Sequence, residues 1–188
     1  MKRPYPIGIA GGTCSGKSTL AVRLKERLKT EGASVVVFHM DRYFKPVTPT
    51  TIAPITRREY VEHNHPDSLR LDELYRDFGK ALEGDADVVI VEGLFALMLD
   101  ALREHYQFKI FVDLRSDERM ARRIKRNLAA DMGNYDDIVD RYLDTVRFRH
   151  DELVEPTRWH ADLVLNGNLD AHRGIDAALA YVRDALKA

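Results

Sequence analysis

The chain has 188 residues, of which 45% are hydrophobic and 31% charged, so it is long enough to bury a core as one globular unit. Its 29 lysines and arginines nearly balance its 30 aspartates and glutamates, and the net charge of -1 excludes a general attraction to nucleic acid or anionic membranes. A single cysteine excludes an intramolecular disulfide, and the apolar runs are far shorter than the roughly 20 residues of a membrane span. Because the first six residues show no signal-peptide pattern, we expect a cytoplasmic protein without nucleic-acid or membrane partners.

Short runs of β-branched residues alternate with longer helical patterns along the chain. This order favours parallel strands joined by helical crossovers, so the predicted fold class is α/β with a mostly parallel five-stranded sheet. The predicted strands are 7–10, 33–39, 87–91, 108–112 and 162–165, and the predicted helices are 17–30, 71–82, 116–130, 136–153 and 172–186, with a further helical start at 94–106.

Residues 45–66 have no apolar period and contain four of the seven prolines. This composition predicts a long loop, with one helical turn near residues 57–61. Loops of that length inside a compact domain are usually functional or mobile.

A glycine-rich segment lies where the first predicted strand meets the first predicted helix. Residues 11–18 read GGTCSGKS and match the GxxxxGKS pattern of a phosphate-binding loop, the P-loop. Its backbone amides would turn toward phosphate oxygens, Lys17 would reach the β- and γ-phosphates, and the Ser18 hydroxyl would bind Mg²⁺. Cys14 is given no catalytic role. The predicted nucleotide-binding residues are Gly11, Gly12, Thr13, Cys14, Ser15, Gly16, Lys17, Ser18 and Thr19.

Two acidic residues follow the next two predicted strands. Asp41 comes just after the second strand and Glu92 just after the third. Because the carboxyl ends of parallel strands meet at one edge of a sheet, both carboxylates should project toward the P-loop. One of them could serve Mg²⁺ while the other takes the proton from an attacking hydroxyl.

The helix predicted from residue 116 carries a stripe of arginines on one face. Arg119, Arg122, Arg123 and Arg126 are spaced i, i+3, i+4 and i+7. Arginines on a mobile helix can close over a nucleotide and stabilise charge on the transferring phosphoryl group. The absence of balancing glutamates on this face favours such a role for Arg123 and Arg126.

Taken together, these segments resemble the uridine kinase and phosphoribulokinase family of P-loop small-molecule kinases, over nearly the whole chain. The resemblance rests on residues 11–19 (GGTCSGKST), 40–45 (MDRYFK), 64–69 (NHPDSL), 91–93 (VEG), 111–113 (FVD), 122–126 (RRIKR), 154–157 (VEPT) and 159–162 (WHAD). It implies a three-layer P-loop fold over residues 1–188, with an arginine-bearing lid at about 116–135 and an acceptor-binding loop at about 41–69.

The resemblance also implies a reaction: transfer of the γ-phosphoryl group of ATP, with Mg²⁺, to a primary hydroxyl, usually the 5′-hydroxyl of uridine or cytidine. In that picture Asp41 is the general base, Ser18 and Glu92 hold Mg²⁺, and Lys17, Arg123 and Arg126 act on the phosphates. The residues expected to contact the acceptor are Asp41, Tyr43, Phe44, His63, Asn64 and Arg123.

This sequence departs from the family pattern on the acceptor side. Asn64 stands where the family has aspartate, and Phe44 where it has tyrosine. The base-reading hairpin that uridine kinases carry after the His-Pro-Asp segment has no counterpart in residues 71–87, and residues 131–134 lack the family's Gly-Arg pair. Other acceptors therefore stay open, namely nicotinamide riboside, pantothenate or another sugar-like alcohol. A regulatory P-loop protein that binds nucleotide without acceptor turnover is a further alternative, and a homo-oligomer is compatible with the sequence.

Overall fold

A parallel five-stranded sheet forms the centre of the molecule in the computed structural model, which describes residues 4–168 and 172–187. The strands are β1 (Tyr5–Gly11), β2 (Val35–His39), β3 (Thr50–Ile52), β4 (Glu59–Val61), β5 (Val88–Glu92), β6 (Phe108–Asp113) and β7 (Leu163–Asn166). The sheet has the order β2-β5-β1-β6-β7, and each neighbouring pair is parallel. The predicted α/β fold with a mostly parallel five-stranded sheet is confirmed. The signal-peptide prediction concerns residues 1–6, and residues 1–3 of that segment lie outside the described residues.

Helices cover both faces of this sheet. They are α1 (Lys17–Thr30), α2 (Leu71–Leu82), α3 (Asp100–Arg103), α4 (Ser116–Ala129), α5 (Tyr135–Arg141), α6 (Arg147–Arg149) and α7 (His172–Lys187). Because side chains alternate along a strand, Val88 and Ile90 pack with α1 and α7, whereas Val89 and Val91 pack with α2 on the opposite face. No described helix is long and apolar enough to span a membrane.

Residues 45–66 contain a β-hairpin, which the sequence did not predict. Strands β3 and β4 pair antiparallel, with Thr51 opposite Tyr60, so the expected loop with a helical turn near 57–61 is wrong. A β-bridge between Phe44 and Leu69 closes the base of the segment. As predicted, residues 71–87 contain no hairpin, since α2 leads directly to β5.

Two predicted helices also differ from the structure. Residues 94–98 form turns, and only Asp100–Arg103 is helical in the segment 94–106. The predicted helix 136–153 is a helical run from α5 to residue 154, but two of its parts, Tyr142–Val146 and His150–Val154, are π-helices. Such wide turns are rare and are often found at functional sites.

Candidate active site

The P-loop connects the end of β1 to the start of α1. Gly11 and Gly16 have φ angles of 149° and 104°, in the region that favours glycine. A side chain at Gly11 would also lie 2.5 Å from the carbonyl oxygen of Val112 and 2.7 Å from the Ser15 hydroxyl. Gly16, at the N-cap position, offers no side-chain hydrogen bond to α1, so the first amide N–H groups remain available for an anion. The loop therefore has the backbone of a phosphate cradle.

A buried carboxylate lies beside the first turn of α1. Glu92, at the end of β5, is only 3% exposed. Its Oε2 accepts a hydrogen bond of 3.0 Å from the Ser18 hydroxyl, and its Oε1 lies 2.7 Å from Nδ1 of His39 at the end of β2. Hydroxyl and carboxylate oxygens are ligands that Mg²⁺ prefers, so Ser18 and Glu92 fit a divalent metal that also binds phosphate. Within the described ranges, no group of three or more His, Cys, Asp and Glu residues could hold a metal by itself.

A cavity of about 990 Å³ opens beside the P-loop. Eight of the residues singled out in the sequence lie on its wall. They are Thr13, Lys17, Asp41, Phe44, His63, Asn64, Arg123 and Arg126. The P-loop, the end of β2, the loop before α2 and the arginine helix α4 thus meet around one space, which is large enough for a small-molecule ligand.

The arginines of α4 point in different directions. Arg123 donates a hydrogen bond of 3.2 Å to the Thr13 hydroxyl of the P-loop, and Arg126 lines the cavity next to it. Arg119 is buried and donates to the carbonyl of Leu114, and Arg122 donates to the carbonyl of Gly167. Burial, and then the charge of Arg126, lower the pKa of Arg123. Two of the four arginines are therefore directed at the cavity, and the other two bind backbone.

Five of the six predicted acceptor residues lie on the cavity wall, and Tyr43 does not. The rings of Phe44 and His63 meet edge to face, with 5.2 Å between their centres. Burial, and then the charge of Arg141, lower the pKa of the His63 imidazole, which favours its neutral form. Tyr43 lies off the cavity wall, because its hydroxyl donates to Asp77 at 3.1 Å. Burial and this hydrogen bond raise the pKa of Tyr43 to about 12.

The remaining P-loop residues lie around the cradle. Gly16 and Thr19 line a smaller cleft with the loop after β7. The Cys14 backbone has a φ angle of 60°, which shows that the turn is tight at this position.

Sequence reasoning missed seven cavity residues that come from the hairpin and from α5. They are Arg58, Glu59, Tyr60, Asp137, Ile138, Asp140 and Arg141. A signal for the hairpin exists in the sequence, because the β-branched residues at 50–52 and the Tyr-Val pair at 60–61 flank a segment with a proline. No comparable signal exists for Arg141, since only the fold brings α5 to the hairpin.

Comparison with known proteins agrees with this geometry. The sequence model of the "Phosphoribulokinase / Uridine kinase family" matches residues 6–85 and 79–170. A uridine kinase from Staphylococcus aureus is 34% identical over 188 residues, covering 88% of this chain and 88% of that protein. Uridine-cytidine kinase B from Dictyostelium discoideum is 27% identical over 208 residues, covering 98% of this chain and 84% of that protein.

The fold is also similar to that of a solved structure. A candidate fructose transport system kinase from Silicibacter sp. superposes with a TM-score of 0.67 at 18% identity, covering 87% of this chain and 90% of that one. At this identity the likeness concerns the fold alone. The family match spans most of the chain. The chain therefore belongs to the phosphoribulokinase/uridine kinase family and is a phosphotransferase that acts on an alcohol group.

Proposed function

We propose that this protein transfers the γ-phosphoryl group of ATP to the 5′-hydroxyl of a nucleoside, uridine or cytidine. The observation that carries the proposal is the shared cavity, whose wall contains Lys17 of the P-loop and Arg123 of α4 together with Asp41 and Asn64. The cationic side chains proposed to bind phosphate and the carboxylate proposed as the base thus line the same cavity. The names of the relatives favour a pyrimidine nucleoside as the acceptor.

Asp41 is proposed as the general base. It lies in the short 3-10 helix after β2, and its exposed side chain is on the cavity wall. In the reaction the acceptor hydroxyl gives its proton to the Asp41 carboxylate while its oxygen forms a bond to the γ-phosphorus. The bond from that phosphorus to the bridging oxygen breaks, and ADP leaves with the electron pair.

The cationic groups of the cavity are proposed to stabilise the transferring phosphoryl group. Lys17 is nearly buried at the start of α1, and Arg123 and Arg126 approach from α4. Charges held in a partly buried site act strongly on a developing negative charge. We assign residues 116–135 as the lid and residues 41–69 as the acceptor-binding loop within one kinase domain, residues 1–188.

Ser18 and Glu92 are proposed to hold Mg²⁺, which would neutralise phosphate charge when it is bound with ATP. The fit rests on the buried Glu92 carboxylate, which the Ser18 hydroxyl contacts at 3.0 Å. His39 contacts the other carboxylate oxygen and thereby fixes the orientation of the carboxylate.

Two observations favour a second candidate, a kinase for another sugar-like alcohol such as nicotinamide riboside or pantothenate. The acceptor side of the cavity is built partly by the β3–β4 hairpin, and Asn64 brings an amide where the family has a carboxylate. Both features change the chemical groups that an acceptor would contact in the cavity.

The test is acceptor-dependent ADP formation from Mg-ATP, with uridine, cytidine, nicotinamide riboside and pantothenate supplied separately. We expect a rate with uridine or cytidine that is lost in Asp41→Asn. A rate only with another acceptor would support the second candidate. ADP formation that no acceptor increases would contradict both and would favour a regulatory nucleotide-binding protein.

A further inference from the structure

The β3–β4 hairpin rests on the helical run that follows the arginine helix. The hydroxyls of Thr56 and Tyr60 both donate to Oδ2 of Asp144, each at 2.7 Å. Asp144 lies in the first π-helix and is only 7% exposed. One nearly buried carboxylate oxygen thus binds the turn and the second strand of the hairpin at the same time.

Other contacts fasten the base of the hairpin to the same run. Arg149 contacts Glu62 at 3.0 Å and donates to the Thr51 hydroxyl at 3.3 Å. Arg141 donates to the carbonyl of Val61. These bonds hold the first strand and the end of the second, whereas Asp144 binds Thr56 in the turn and Tyr60 in the second strand.

The hairpin depends on these contacts for its position. Its two strands of three residues form a sheet of their own, separate from the central sheet. An isolated two-stranded hairpin is marginally stable in water, so its place in the fold must come from side-chain contacts. The Arg58–Asp140 pair is exposed on both sides and therefore contributes little. For the turn of the hairpin, the bonds to Asp144 are the strongest candidates, because charge-assisted bonds in a nearly buried place are stronger than neutral ones.

The second strand of the hairpin also borders the cavity. Glu59 and Tyr60 lie on the cavity wall, and the chain continues from the hairpin to His63 and Asn64, which lie on the same wall. The P-loop residues on that wall, by contrast, are Thr13 in the loop after β1 and Lys17 at the start of α1, and they make none of the Asp144 contacts. A displacement of the hairpin would therefore change the acceptor side of the cavity more than the phosphate side.

We propose that Asp144 is a positioning residue that holds the hairpin over the acceptor side of the cavity and thereby sets the affinity for the acceptor. Asp144 is not on the cavity wall, so it acts through the hairpin. The proposal rests on the proposed function, since it assigns the hairpin wall to the acceptor. The affinity for the acceptor therefore depends on the helical run that follows the proposed lid, residues 116–135.

Two variants test the proposal. Asp144→Asn keeps the shape of the side chain and removes its charge, and Thr56→Val removes one hydroxyl from the exposed turn of the hairpin without altering the helical run that contains Asp144. Thr56→Val keeps the test decisive if Asp144→Asn lowers the stability of the whole protein. Asp136→Asn, an exposed position in the first turn of α5, is the matched control.

The first measurement needs no acceptor. Arg57 and Arg58 lie in the exposed turn of the hairpin, so limited trypsin digestion of the native protein reports how often the hairpin opens. We expect nicking after these arginines to be at least about fivefold faster in Asp144→Asn and Thr56→Val than in the wild type and Asp136→Asn. Equal nicking rates in all four proteins would overturn the proposal.

The second measurement is the KM for uridine and for ATP in the same proteins. We expect the uridine KM to rise roughly five- to tenfold in both variants, while the ATP KM changes less than about twofold. Both KM values rising together would overturn the proposal, because that is the result of general destabilisation. If the wild type phosphorylates neither uridine nor another acceptor of the panel, the proposed function fails, and the nicking rates alone decide whether Asp144 holds the hairpin.

Discussion

The Ser18 hydroxyl donates a hydrogen bond of 3.0 Å to Glu92, and this bond joins the first turn of α1 to the carboxyl end of β5. The two residues are 74 positions apart in the chain, and the parallel pairing of β1 with β5 brings them together. Glu92 is buried, so its carboxylate needs compensation from polar neighbours or from a cation. Ser18 and His39 supply part of it, and a divalent metal would supply the rest.

We therefore predict that Glu92→Gln raises the Mg²⁺ concentration for half-maximal activity by about tenfold or more, because an amide oxygen carries no charge. The measurement is the initial rate of ADP formation as a function of Mg²⁺ at fixed ATP. Glu83→Gln, at the exposed end of α2, is the control. An unchanged Mg²⁺ dependence in Glu92→Gln would contradict the assignment of Glu92 to the metal.

Asp41→Asn should lower kcat by roughly 10²- to 10⁴-fold, because it removes the base and leaves the shape of the side chain. Binding of Mg-ATP, measured by calorimetry, should stay within about threefold of the wild type, since Asp41 is not a phosphate ligand. Asp72→Asn, in the first turn of α2, serves as the control. Near-normal turnover in Asp41→Asn would mean that another group accepts the proton.

Arg123→Ala should lower kcat by roughly 10²- to 10³-fold, because it removes a partly buried cation next to the P-loop. The hydrogen bond from Arg123 to Thr13 places the guanidinium beside the phosphate cradle. Lys125→Ala changes an exposed cation of the same helix and should have little effect. Equal rate losses in the two variants would indicate a nonspecific effect of charge and would remove the special role of Arg123.

The parts of the fold that could be predicted are those with long periodic patterns. The leucines at intervals of four in α1 and the continuous β-branched residues of β2 and β5 specify helix and strand locally. The β3–β4 hairpin could not be predicted with equal force, because its strands are three residues long and its turn is held by Asp144, which lies 88 positions from Thr56. Its position depends on tertiary contacts.

The candidate site likewise contains residues that a motif predicts and residues that only the fold places. Lys17 and Ser18 follow from a motif whose spacing is fixed by phosphate geometry. Tyr43 belongs to a segment that resembles the family pattern, yet its hydroxyl donates to Asp77 of α2 and not to the cavity. The sequence shows that a tyrosine is present, but only the packing of α2 against the end of β2 determines where the hydroxyl points.

His150, whose Cε1 would lie 3.0 Å from a side chain at Gly12 of the P-loop, should make the protein less stable at acidic pH. Its side chain is only 11% exposed, and its Nε2 lies 3.3 Å from Glu155. Burial, and then the charge of Arg119, lower the pKa of His150 to about 4, and these effects outweigh the nearby carboxylates of Asp151 and Asp113.

In the unfolded chain His150 should titrate near its ordinary pKa of about 6.5, so between these two values the unfolded state binds a proton that the folded state does not. The free energy of unfolding should therefore be highest above pH 6.5 and should fall as the pH drops toward 4. At pH 5 the loss from this residue is about 2 kcal/mol. Urea unfolding at pH 7.5 and pH 5 measures this loss. His150→Gln should lose less free energy of unfolding between the two pH values than the wild type. His160→Gln, at an exposed position, should lose as much as the wild type. Equal losses in His150→Gln and the wild type would show that His150 is charged in the folded protein, paired with Glu155.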